Sequence, residues 1–386
     1  MTSLNPLLPT PEVRGIRLMV LCDGKAVPGC YSISWTASSH YTAASWNATF
    51  AINADSKYGL SWWDSGDTGR TFDLQVGLMG ADGSIQWRSL GIGLIDTTTI
   101  SAGLTTAQVE GRDLAALLID QRTANTYQNQ TASEVVAAIA AEHTGMIANA
   151  AATTTPIGRF WGPDHTRQTR AQNAAETTQW DLLVRLAQME GYDLYFDGWK
   201  LCFQPQVTND PTPYTALWVP ATPQIPIPSS GVMDLQMTRR WTLAKPVTVV
   251  VQSYNSKSGK TVKASASFGS TSTDTSIGGT HATAKVRPTR RTIIRANLTQ
   301  DQAQKLANST LNDLVKHERQ ISFNAPGQPI ITPRNMVRLM GTGTDFDQLY
   351  YIDSLTKTAS FSDGFRMDIT AKNHSPSSDD AATGAT

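Results

Sequence analysis

The sequence predicts a mainly β chain with α+β character: two β-rich modules of similar size separated by a small α/β unit built from helices and one hairpin. Three observations predict it. Short runs of period-two hydrophobicity punctuated by Asp-Gly turns fill residues 1–111 and return over residues 233–376. Between them, residues 112–205 carry helical periodicity. The length of 386 residues accommodates two or three domains of ordinary size.

In the first module, RLMVLCDGKAVPGCYSISW places Leu18, Val20 and Cys22 on one face before the Asp23-Gly24 turn, a hairpin pattern. Trp46, Ala48, Phe50 and Ile52 repeat at period two. Phe72, Leu74, Val76 and Leu78 alternate up to Asp82-Gly83, and Ile85, Trp87 and Ser89 return. Asp-Gly suits such turns because glycine tolerates the positive φ that a type I′ turn demands. Another extended stretch ends at Val109, so five or six strands are expected, enough for a compact barrel or sandwich.

The α/β unit opens with DLAALLID, where Leu114, Leu117 and Leu118 lie behind an Asp113 cap. Thr131-Ala132-Ser133-Glu134 is a capping box that opens a second helix ended by Gly145. A third helix over 179–190 starts after Thr178, buries Leu182, Leu183, Leu186 and Met189, and stops at Gly191. A hairpin follows, with Tyr192, Leu194 and Phe196 on one strand and Trp199, Leu201 and Phe203 on the other, around Asp197-Gly198.

Seven prolines between 205 and 228 argue against helix and central strand, so residues 206–232 are expected to be an extended connector. Beyond it, Val247, Val249 and Val251 share a strand face, and the Ser/Thr/Gly-rich stretch 256–282 is expected to be a loop. Thr299 to Gln302 form another capping box, opening a helix over 300–317 with Ala303, Leu306, Ala307, Thr310 and Leu314 inside. Four strands follow: RQISFNAP, NMVRLMG, LYYIDSLTKTAS and FRMDITAKN, the last two joined around Asp363-Gly364. Residues 377–386 read as a flexible polar tail.

Composition narrows the function. Lys+Arg and Asp+Glu are both 32, so zero net charge gives no global drive toward nucleic acid or an anionic membrane. Charged residues are only 17%, and 48 threonines supply neutral polar surface suited to packing against neighbours. Cys22, Cys30 and Cys202 lack metal-site spacing and are expected to be buried, reduced thiols of a protein made in the cytoplasm. No signal-peptide pattern or long apolar run is visible, so no membrane insertion is expected.

The six histidines, His40, His143, His165, His281, His317 and His374, are scattered singly and read as structural or surface residues. No nucleophile elbow, P-loop or dinucleotide motif occurs, and the glycines at 91–93 and 341–343 sit among strand residues. No catalytic residue, cofactor or metal is therefore expected. Asp64 and Asp67 beside Trp62-Trp63 have the residue types of a glycosidase pair, but a surface turn is the simpler reading. Trp35, Trp46, Trp62, Trp63 and Trp87 have rings that stack on sugars, yet core or interface packing accounts for them more simply. Arginines gather at Arg239-Arg240 and at Arg287, Arg290, Arg291 and Arg295, where guanidinium forks fit a protein partner's carboxylates better than nucleic acid, given the neutral charge.

The order of these parts resembles the baseplate hub of contractile phage tails, including Mu-like and P2-like hubs, and the amino-terminal part of type VI secretion spike proteins. The passages that carry the resemblance are VEGRDLAALLID (109–120), TASEVVAAIAAEHTG (131–145), WDLLVRLAQMEGYDLYFDGWKLCFQP (180–205) and LTQDQAQKLANSTLNDLVKHERQISFNAPG (298–327). The resemblance implies two tube-protein-like β-barrel domains and a homotrimer whose six barrels join a hexameric tail tube to a trimeric spike. It implies as partners the tube protein, the spike, other baseplate proteins and DNA in transit through a lumen, at the virion tail tip. Arg239, Arg240, Arg287, Arg290 and Arg291 are the candidate intersubunit or lumen-facing residues. The rival expectation, from the tryptophans and aspartates, is a tail-associated glycan-binding or glycan-cleaving protein.

Overall fold

A computed structural model describes the chain from residue 16 to residue 373, except residues 40, 53–56, 66–68, 80–83, 102, 104, 124–126, 128–129, 155, 158–176, 209, 222–228, 241–246, 256–258, 269–288, 296–297 and 316–318. It is mainly β with α/β parts. The first hairpin joins β1 (Arg17–Cys22) to β2 (Lys25–Val27). Its turn has φ of 47° at Asp23 and 78° at Gly24, the two positive values a type I′ turn requires.

The module continues with β3 (Cys30–Ser38), β4 (Ser45–Ala51), a short helix α1 (Leu60–Asp64), β5 (Thr71–Met79), β6 (Ile85–Ser101) and β7 (Thr106–Asp113). Its strands lie in the order β2-β1-β5-β6-β7-β4-β3, antiparallel throughout. Of the alternating residues anticipated from sequence, Val20, Ala48, Phe50, Phe72, Leu74, Val76 and Val109 are fully buried in its core, and Ile33 joins them. The expected Asp82-Gly83 turn lies outside the described residues.

The α/β unit contains α2 (Ala115–Asp120), β8 (Arg122–Thr123), β9 (Gln130–Thr131), α3 (Ala132–Ala141), β10 (Ile147–Ala150), β11 (Pro156–Ile157) and β12 (Thr177–Thr178). It closes with α4 (Gln179–Glu190), β13 (Tyr192–Asp197) and β14 (Lys200–Pro205). Local chemistry sets most of the helix ends as expected, although α3 stops at Ala141, short of the anticipated Gly145. The Thr131–Glu134 capping box is complete on α3, and Thr178 caps α4 through a 3.0 Å bond from the Asp181 amide. Gly191 ends α4 in the left-handed conformation at φ 71°. Asp113 receives the Ala115 amide at 3.0 Å, although Leu114 is the residue at the cap position of α2. Strand β10 adds to the hairpin in parallel with β14, a pairing the hairpin pattern did not announce.

The second β region comprises β15 (Tyr214–Val219), β16 (Ser229–Ser230) and β17 (Met233–Arg239), then β18 (Val247–Asn255), β19 (Lys260–Phe268), β20 (Thr289–Ile294) and helix α5 (Gln300–Val315). It ends with β21 (Arg319–Pro326), β22 (Met336–Met340), β23 (Leu349–Ser360) and β24 (Gly364–Asn373). Four expectations change here. Strand β15 lies inside the segment taken for a strandless connector, with Tyr214 and Ala216 fully buried. Pro213 and Pro220 bracket its six residues without entering them, so the ladder loses no amide. Strand β19 occupies part of the expected 256–282 loop, pairing along the whole of β18, with Ala264 and Ala266 buried. Helix α5 belongs to an insertion rather than to the large sheet: it packs with the separate sheet β19-β18-β20 around Val249, Val251, Ala303, Ala307 and Leu311. Leu311, rather than Thr310, continues its inner stripe.

With that insertion set aside, the second module runs β16-β15-β22-β23-β24-β21-β17. This is the strand order of the first module, with β15, β16, β17, β21, β22, β23 and β24 in the places of β1, β2, β3, β4, β5, β6 and β7. One sense is reversed: β15 runs parallel to β22, where β1 is antiparallel to β5.

Two glycines explain how the first module holds its tryptophans. A Cβ on Gly91 would overlap the Trp35 indole, and one on Gly93 would overlap Trp46, whose Nε1 donates to the Arg112 carbonyl at 3.2 Å. Gly91→Val is expected to lower unfolding stability by ~3 kcal/mol in urea titration, the scale of overpacking a filled core. Gly103→Ala, which adds its methyl to open space, should stay within about 0.5 kcal/mol.

Candidate assembly interface

The two modules meet edge to edge. Strand β23 pairs with β22 through residues 349–351, runs on beyond it, and takes β3 as its partner from Ser354↔Ser38 to Ser360↔Ser32. The Thr36 and Thr356 hydroxyls lie 3.1 Å apart across this ladder, and the Ser39 amide donates to the Asp353 carbonyl at 3.0 Å. Ala359 and Phe365 of the second module pack into the first module's core. Lys357, opposite Trp35, is buried in the junction, and its Nζ donates to the Pro329 carbonyl at 2.7 Å. Burial pushes its ammonium pKa down to about 7.

The repeat extends to side chains. In β6 the ladder to β7 slips between Ile95 and Thr97, making Asp96 a bulge; in β23 the ladder to β24 slips between Ile352 and Ser354, making Asp353 a bulge. Each bulged carboxylate holds a cation on the next strand: Asp96 to Arg112 Nε at 2.7 Å, Asp353 to Lys372 Nζ at 2.5 Å. Arg112 pairs with Leu94 and Lys372 with Tyr351, each two residues before its bulge. The residue after each cation, Asp113 or Asn373, is buried and accepts a backbone amide through Oδ1, from Ala115 at 3.0 Å and from Arg319 at 3.1 Å. Burial raises the Asp113 pKa to about 7, against the pull of hydrogen bonds from the backbone at Ala44 and Ala115 and of the Arg112 charge.

The α/β unit is fastened to both modules by residues that sequence patterning did not single out. Tyr41, just before β4, donates to the Tyr192 carbonyl at 2.7 Å and receives the Trp180 indole N–H on its own carbonyl at 2.8 Å. On the other side Arg334 reaches the Asp193 carboxylate at 3.3 Å, the Tyr195 hydroxyl at 2.5 Å and the Pro205 carbonyl at 3.0 Å. Its guanidinium also lies 4.8 Å from the centre of the Tyr195 ring.

The arginines singled out from sequence fall into two places. Arg239 ends β17 and Arg240 follows it, bonding Gln320 at 3.4 Å, whereas Arg290 and Arg291 are exposed on β20 in the separate sheet. Arg287 lies outside the described residues.

The sugar-stacking tryptophans are mostly interior. Trp35, Trp46 and Trp63 are buried, and Trp62 is held by Tyr58 and by the Arg70 guanidinium 4.7 Å from its ring centre. Trp87 is exposed at 38%. Asp64 ends α1, and Asp67 lies outside the described residues. His143 bonds Gln179 at 2.6 Å; the other five histidines lie outside the described residues. All three cysteines are buried, free thiols. Among the described residues, no three metal-binding side chains converge and no helix is long and apolar enough to cross a membrane.

This architecture is shared with solved tail proteins. The tail protein from Neisseria meningitidis MC58 matches with a TM-score of 0.63 at 15% identity, over 93% of this chain and 97% of that one. The 43 kDa tail protein of prophage MuSo2 from Shewanella oneidensis matches at 0.61 and 15% identity, over 92% and 98%. The E. coli c3393 protein, a component of the type VI secretion system with structural similarity to the bacteriophage T4 tail proteins gp27 and gp5, matches at 0.52 and 11% identity, over 92% and 77%. No family model and no curated protein sequence matches the chain.

The Asp113/Asn373 correspondence gives a pH test. The native state keeps a proton on Asp113 up to about pH 7 that an unfolded carboxyl releases near 3.8, so stability falls as pH rises between those values. Asp113→Asn, which supplies the side chain the second module already uses, should remove that fall. Its gain over wild type in denaturant titrations should be near zero at pH 4 and positive at pH 8. The ceiling is about 4 kcal/mol, from ~1.4 kcal/mol per pH unit between the two pKa values.

Proposed function

We propose that this chain is a non-enzymatic structural hub of a contractile phage tail or phage-like particle. Three copies would form a ring of pseudo-sixfold symmetry that joins a hexameric tail tube to a trimeric spike. The observation that carries the proposal is the single strand order used twice in one chain, with the copies joined through a continuous ladder. Two equivalent modules per chain turn a threefold set of chains into six similar contact surfaces, the requirement for matching a sixfold partner to a threefold one. The similarity in fold to tail proteins and to a type VI secretion component supports that setting.

Its partners in this scheme are further copies of itself, the tube protein, the spike and other baseplate proteins. DNA would pass only through the lumen, and no cofactor is needed. The hub would sit at the virion tail tip after synthesis in the host cytoplasm. The proposed divisions are a first module to residue 111, an α/β unit over 112–205 and a second module to 376. The second module draws β15 from the former connector into its sheet. The glycan-directed alternative is weakened by the burial of Trp35, Trp46 and Trp63, which removes most of its stacking surface.

Sedimentation of the purified chain is expected to give a trimer, and negative-stain imaging a threefold ring with six lobes that binds tube protein. A monomer without affinity for tube or spike would reject the hub, and release of sugar from peptidoglycan would favour the rival.

A further inference from the structure

We infer that neighbouring copies of this chain join by strand addition, the Thr97–Ser101 half of β6 pairing antiparallel with Gln236–Arg240 at the end of β17 in the next copy. This rests on the ring reading and specifies its contact. Within one chain, the half of β23 that runs past β22 takes β3 as its partner. Its counterpart in the first module has the same shape: β5 accompanies β6 only as far as Leu94, and residues 97–101 continue with β7 on one side. Among the described residues no strand lies on their other side. Among the described residues strand β17, the counterpart of β3, pairs only with β21, where β3 pairs with both β4 and β23. The two open edges are thus the counterparts of the two edges already joined.

The register transfers as well. With the bulges as origin, Thr97 to Ser101 correspond to Ser354 to Thr358. Following the ladders from β7 to β4 to β3, and from β24 to β21 to β17, makes Thr238 the counterpart of Thr36 and Met237 that of Trp35. The in-chain pairs Thr356↔Thr36 and Lys357↔Trp35 then become Thr99↔Thr238 and Ile100↔Met237 between copies. The side chains fit. A threonine faces a threonine, as in the observed junction, where the hydroxyls are 3.1 Å apart. Met237, 40% exposed on an edge strand, gains an apolar partner in Ile100. Arg239 and Arg240 come opposite Thr98 and Thr97, which gives that sequence-singled pair a place in the contact. Such a contact uses different surfaces on its two sides, so it propagates head to tail and either closes into a ring or grows.

The test is cross-strand thiol pairing in the full chain. Thr99→Cys with Thr238→Cys, both exposed sites, should form disulfides between copies under mild oxidation, giving covalent dimers and a trimer, with no longer species, on a non-reducing gel. Mixing the two single variants should give dimers alone. The in-chain control is Thr36→Cys with Thr356→Cys, which should close within one chain, and the off-register control is Thr99→Cys with Met237→Cys, whose side chains fall on opposite faces. A trimer by sedimentation in which the in-chain control closes while the Thr99/Thr238 thiols stay free would overturn the pairing and leave the ring standing. A monomer at every concentration, without cross-links, would overturn both. Covalent chains longer than three would uphold the pairing and overturn closure at three.

Discussion

Everything in this molecule depends on how a β-sheet disposes of its edges. An exposed strand edge presents unpaired amides and carbonyls, and a folded protein must cover, shorten or pair it. Here the open side of β3 is satisfied by β23, more than 300 residues later in the chain, so the two modules form one sheet instead of two beads on a string. That choice dictates the form of β23. It must be long enough, at 12 residues, to serve β22 with its start and β3 with the remainder. The bulge at Asp353 falls between the two parts, where extra local twist turns the strand from one neighbour to the other.

The first module repeats this device in β6, a strand of 17 residues with its own bulge at Asp96. What recurs is sparse in sequence but specific in chemistry: a carboxylate at the bulge, a cation two residues out of step on the next strand, and a buried side-chain carbonyl oxygen capping a backbone amide. The modules differ where their surroundings differ. The second has received the β18–β20 sheet with α5 between β17 and β21, and its β15 enters in the opposite sense to β1. A fold can keep its strand order through such changes because order is set by which ladders pair, while insertions occupy the connections between strands.

Much of this was legible in the sequence wherever the governing physics is local. Thr178 and Gly191 mark both ends of α4, the Thr131 box opens α3, and Asp23-Gly24 announces its hairpin, because caps and turns are decided by a few adjacent residues. The misses are non-local or concern the absence of a signal. Strand β15 was hidden by the prolines on either side, though none falls within it, and β19 by small serine and alanine residues that resemble a linker yet alternate toward the α5 helix. The glycines at 91 and 93 make sense only once the rings of Trp35 and Trp46, strands away in sequence, are seen lying against them. Arg334 stood alone in the sequence and carries the contact to the α/β unit, while the clustered arginines divide between two sheets.

The observed junction and the inferred one together give a reason why one position carries a lysine and its counterpart an isoleucine. Lys357 is buried opposite Trp35, and that burial lowers its pKa to about 7, because an ammonium withdrawn from water is costly to keep charged. Its counterpart is Ile100. Within one chain the two edges are already tethered, so their effective concentration is high and the ladder can carry a burial cost without coming apart. Between copies no tether helps, and association must overcome the loss of translational and rotational freedom, so a buried cation there would weaken the contact where an apolar pair strengthens it. On the inferred pairing, Ile100 meets Met237 at the very contact where that cost has to be offset. On that pairing the asymmetry would follow the covalent connectivity: polar burial is tolerated where the chain supplies the proximity, and an apolar contact would serve where proximity must be gained by binding.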